Sequence, residues 1–195
     1  MTPTLPAIRK ATFFTTCITV VGAIVAMRSP TPLVYLLPCC ILYAGLVINT
    51  FPSVRLFSSL HPDRDTMQTM IDTALVVLYI CIALTLGHPL RFAALDTCLF
   101  VMAMIKYIYL LPQAAHRDLL RRKIFVDGLG AISAAVAFVG CLLWRSDIMM
   151  WLWAAAFTAT QIDIFILHPL YVFPINERRG TSSSPDDGRA PPKRS

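Results

Sequence analysis

The chain has 195 residues, 56% of them hydrophobic and 14% charged, with a mean hydropathy of +0.65. A water-soluble domain carries roughly 25% charged residues, so this composition excludes a chain that hides its apolar atoms from water and selects one solvated by lipid. The formal charge of +6 comes from cations in short segments beside apolar runs, without interleaved aromatics. That pattern selects anionic lipid headgroups as partners and excludes nucleic acid.

Six apolar stretches follow one another: Ala11–Met27, Leu33–Phe51, Met67–Leu86, Phe92–Leu111, Ile124–Leu143 and Ile148–Leu167. At 1.5 Å rise per residue, about 20 residues match a hydrocarbon thickness of about 30 Å. Lipid offers no partner for a loose backbone amide, so each stretch is predicted to be a helix. The fold class is all-α, a polytopic six-helix transmembrane bundle over residues 1–174. Pro30, Pro32, Pro52, Pro62, Pro89 and Pro112 fall at or near the ends of the stretches, and Pro38 is expected to kink the second. Residues 175–195 are rich in Arg, Ser, Pro, Gly and Asp and have no apolar face, the composition of a disordered basic tail.

Alternating the gaps between stretches sorts the cations. One side collects Arg9, Lys10, Arg55, Arg64, Arg117, Arg121, Arg122, Lys123, Arg178, Arg179, Arg189, Lys193 and Arg194, while the other holds Arg28, Arg91 and Arg145. By the positive-inside rule both termini are cytoplasmic. The first stretch is longer than a secretory h-region and lacks a small-x-small cleavage site, so we expect a retained span rather than a cleaved signal, in a plasma or bacterial inner membrane. Arg117, Arg121, Arg122 and Lys123 form the largest cationic patch between spans and are expected to touch anionic lipid. Cys17, Cys39, Cys40, Cys81, Cys98 and Cys141 all fall in apolar stretches with no Cys-x-x-Cys, which marks them as small hydrophobes. His61, His88, His116 and His168 are divided between the two faces, so neither a metal nor another cofactor is expected.

Five ionisable residues lie inside the stretches: Asp72, Asp96, Lys106, Asp127 and Asp163. Each costs at least ~2.5–3.5 kcal/mol in hydrocarbon and so needs a partner or a function. Asp96, near the outer face, is expected to form a structural ion pair with Arg91. By helical rise, Asp72, Lys106, Asp127 and Asp163 share one depth, roughly 5–9 Å from the cytoplasmic boundary. Placement near helix starts and the dipole offers an alternative account of Asp72 and Asp127, and Lys123 stands one turn before Asp127, within pairing distance at the interface. Asp163, near a helix C-terminus, has no such account, and Lys106 is its expected counter-ion.

A layer of three carboxylates and one ammonium suggests a small-cation or proton-linked translocator. The alternatives are a non-catalytic accessory or scaffold subunit, in which these groups pair with a second copy or a membrane partner, and an enzyme acting on lipid headgroups. No nucleophile–base pair supports the last.

Overall fold

In the computed structural model, which describes residues 5–60, 66–113 and 117–167, each predicted span is a helix. These are α1 (Leu5–Arg28), α2 (Leu33–Leu60), α3 (Thr66–Leu84), α4 (Pro89–Leu110), α5 (Arg117–Leu143) and α6 (Ser146–Ile162). A 3₁₀ turn, Leu111–Gln113, follows α4, and a π-helical turn, Asp163–Leu167, follows α6. All six helical segments are long and apolar enough to cross a membrane. The expected basic tail lies outside the described residues.

Helix ends differ from the hydropathy boundaries where charged residues continue a helix beyond its apolar part. α1 starts at Leu5 and α5 at Arg117, so Lys10, Arg121, Arg122 and Lys123 belong to helices rather than to loops. Pro52 does not end α2: the helix carries both Pro38 and Pro52 in its interior. Membrane helices tolerate proline where neighbours satisfy the freed backbone groups, and α2 is packed against α1 and α6. Hydroxyls add local support, with Thr97 Oγ1 donating to Ala93 O at 2.8 Å and Thr158 Oγ1 to Ala154 O at 2.7 Å.

The helices close into a ring. α1 packs on α2 and α3, α2 on α6, α6 on α5, α5 on α4, and α4 on α3. Inside the ring α4 also reaches α2 and α6. The core is built from fully buried Leu42, Ile82, Phe92 and Met150, with edge-to-face ring contacts Phe92–Trp153 and Phe100–Phe157 at 6.1 and 6.3 Å between centroids. Phe13, Ile132, Val136 and Leu152 point outward, as lipid-facing side chains would. Trp153 turns into the core, unlike Trp144 and Trp151 at the same end, which are exposed.

Small residues let α5 approach its neighbours closely. Ala134 and Ala137 are buried, and a Cβ on Gly130 would meet Phe100 of α4 at 2.6 Å. The α3–α4 connection turns at Gly87, whose φ of +87° suits glycine, and a Cβ there would come within 2.6 Å of Thr31 Oγ1. Thr31 belongs to the α1–α2 connection, so the two turns at the cation-poor end abut. All six cysteines are free thiols.

Candidate functional site

Five helices wall a cavity of about 240 Å³ toward the cation-rich end of the bundle. α1 contributes Lys10, α2 contributes Asn49, Thr50 and Ser53, α3 contributes Asp72 and Tyr79, α4 contributes Lys106 and Tyr107, and α5 contributes Lys123 and Asp127. Helical periodicity gathers them: Asp72 and Tyr79 are two turns apart on one face, and Lys123 and Asp127 one turn apart. Phe14, Leu46, Leu75, Leu99 and Phe100 form the apolar part of the wall. Lys10, partly exposed, and Phe13, well exposed, stand at its rim.

Two ion-pair systems face this space. Lys106 Nζ donates to Asp72 Oδ1 at 2.6 Å, while Lys10 Nζ reaches the second oxygen, Oδ2, at 3.4 Å. Asp72 is therefore held between α1 and α4. Lys123 Nζ donates to Asp127 Oδ1 at 2.5 Å, and both side chains are nearly inaccessible, at 4% and 2%. The Tyr107 ring lies between the two systems, with Lys123 Nζ 5.7 Å and Lys106 Nζ 6.0 Å from its centroid. Its hydroxyl and that of Ser53 hydrogen-bond at 2.8 Å, and Thr50 bonds the Tyr79 hydroxyl in the same way. Each hydroxyl pair links α2 to a helix that carries charge.

The structure corrects several expectations. Asp72, Lys106 and Asp127 do share a cavity, but Asp163 lines a different one of about 590 Å³, with Arg122, Thr160 and Gln161. α6 packs between α2 and α5, across the ring from α3, so equal depth does not bring Asp163 to Lys106. The pairing of Lys106 is with Asp72. Lys10 and Lys123 enter the layer instead, which changes its described charges from three acids and one base to two acids and three bases.

Asp127 lies more than two turns inside α5, too deep for an N-terminal cap, and its pair with Lys123 is buried rather than interfacial. Lys123 is thereby removed from the lipid-contact group. Arg117, Arg121 and Arg122 remain exposed, Arg121 lying 3.9 Å from Asp118.

The expected Asp96–Arg91 pair does not form. Five residues along a helix rotate a side chain by about 140°, which turns Arg91 outward while Asp96 points into the core. Asp96 is fully buried, and neither carboxylate oxygen has a hydrogen bond. Arg145 pairs with Asp147 at 2.9 Å.

Sequence reading missed Lys10, Asn49, Thr50, Ser53 and Tyr79. A signal was present for the α2 set: Asn49, Thr50 and Ser53 recur at helical spacing on one face near the end of an apolar run. Among the described residues no cluster of three or more His, Cys, Asp or Glu is placed to hold a metal ion.

Chemically, the site offers carboxylates whose charge is met by neighbouring ammoniums, beside an apolar recess. Protonating either acid removes a lysine's acceptor and leaves the ammonium facing the cavity. Compared with protein-family models, curated proteins and solved structures, the chain has no match.

Proposed function

We propose that this multi-pass membrane protein is a proton-linked translocator of a small solute, with the five-helix cavity as its binding site. The observation that carries this reading is the presence of two separate lysine–aspartate systems on the wall of one internal space. Intramembrane acids are costly and commonly mark ion pathways. A small metal cation is the less favoured cargo, because three ammonium groups line the same wall. A proton fits both acids.

A proton arriving on Asp72 neutralises the partner of Lys106 and Lys10, and one arriving on Asp127 does the same for Lys123. In each case a bond that ties two helices or two turns together weakens while the cavity gains positive charge. Solute binding and helix movement are thus linked to the same proton. The apolar recess at Phe14, Leu75 and Phe100 suits a solute with an apolar part.

The test is reconstitution in proteoliposomes containing a trapped pH indicator, challenged in turn with gradients of small carboxylates, amines and inorganic ions. At least one solute should move protons, and Asp72→Asn and Asp127→Asn should each lower that flux at least tenfold. A correctly folded protein that moves protons with none of them, or variants as active as the parent, would overturn the reading.

A further inference from the structure

Asp96 takes no part in the cavity's ion pairs, yet it is the most completely enclosed acid of the described residues, with no accessible surface and two unbonded carboxylate oxygens. It lies seven residues into α4, about 10 Å from the cation-poor end and about 15 Å short of Lys106 by helical rise. Leu99 and Phe100, three and four residues further along the same helix, already line the cavity. Asp96 therefore stands one turn beyond the cavity floor, toward the opposite end of the bundle.

No hydrogen bond from the described residues reaches either of its oxygens. Trp153 on α6, whose ring meets Phe92 one turn before Asp96, keeps its own buried indole N–H without an acceptor. An ionised group in such a place would bear a desolvation cost of several kcal/mol with nothing to offset it. A metal ion would need several ligands, and among the described residues no group of three or more His, Cys, Asp or Glu is placed to hold one. The guest small enough to reach the site and neutralise it is a proton.

We infer that Asp96 is an intramembrane proton-binding site that exchanges with the cavity whose floor, at Leu99 and Phe100, lies one turn away. In that exchange the O–H bond of Asp96 breaks as its proton leaves to solvent in the cavity, and a proton from that solvent re-forms the bond. The inference rests on the translocator reading for its purpose, though not for its measurement.

Infrared difference spectroscopy on the purified, full-length protein in lipid provides that measurement. A carboxylic-acid C=O band should be present, disappear in Asp96→Asn, and return at a shifted frequency in Asp96→Glu, which also controls for folding. On transfer to heavy water the band should shift as its proton exchanges. A band that survives in Asp96→Asn, or no such band at all, overturns the site. A band that never shifts in heavy water overturns exchange with the cavity. If the band behaves as expected and no solute drives proton flux, the translocator reading fails while the proton site stands. If flux occurs and Asp96→Asn leaves both band and proton coupling intact, the translocator stands and the site fails.

Discussion

Replacing Lys123 by Met should destabilise the bundle more than any surface charge change, because the lysine is the partner of an acid enclosed to 2%. Methionine approximates the length and volume of the lysine stem, so packing changes little and the loss is electrostatic. The second oxygen, Asp127 Oδ2, is already buried without a hydrogen bond, so no other donor softens the removal of the 2.5 Å contact. Breaking one partner from a buried pair costs about 3–5 kcal/mol, two to four orders of magnitude in the folded-to-unfolded ratio. Replacing both members by apolar residues removes the stranded charge, and Lys123→Met/Asp127→Leu should recover to within about 2 kcal/mol of the parent. Unfolding in mixed micelles of lipid detergent and sodium dodecyl sulfate, followed by tryptophan fluorescence, gives both values and their coupling energy. Arg145→Gln, which breaks the exposed pair with Asp147, is the control and should not shift the midpoint. A Lys123→Met protein that unfolds with the parent, or a double variant no better than the single, would refute the burial of this pair.

Three further outcomes follow from the geometry. Exchanging charges as Asp72→Lys/Lys106→Asp should restore micelle stability lost in either single variant, since the 2.6 Å contact joins α3 to α4; failure of the exchange to rescue would contradict that contact. Gly87→Ala should cost about 1–3 kcal/mol, from its left-handed backbone and its approach to Thr31; Thr31→Gly should recover the steric share and leave the backbone share, as read from unfolding midpoints. In a cysteine-free background, Arg121→Cys should resist a membrane-impermeant maleimide in intact cells while Trp144→Cys reacts, and the reverse pattern would invert the orientation assigned by the cation asymmetry.

Depth was legible in the sequence, and azimuth was not. Hydropathy reports where each residue sits along the membrane normal, which is why Asp72, Lys106 and Asp127 could be placed in one layer before any helix was paired with another. Asp163 shares that depth and belongs to a different cavity, because the neighbours of α6 are decided by side-chain packing around a ring rather than by span order. Asp96 shows the same limit at shorter range: proximity in sequence suggested Arg91, and the helical screw sets the two on different faces. The charged starts of α1 and α5 misled for a further reason. An apolar window ends where charge begins, whereas a helix continues while its backbone bonds are satisfied, so Lys123 reads as a headgroup contact and Lys10 only as part of the cation-rich side, although both line the bundle's interior cavity.

Closure of the ring through α2 and α6 also has a bearing on biogenesis. α2 is synthesised well before α6, one of its two principal neighbours. Until the 111 residues between Gly45 of α2 and Phe157 have been synthesised, Gly45 has no Phe157 ring against it, and Asn49 and Phe100 lack the α6 side that completes their shared wall. The interim surface must be sheltered by lipid, by insertion machinery or by a chaperone. Truncation anywhere before α6 therefore leaves an open crescent rather than a smaller barrel of helices, and such fragments are natural targets for membrane quality control.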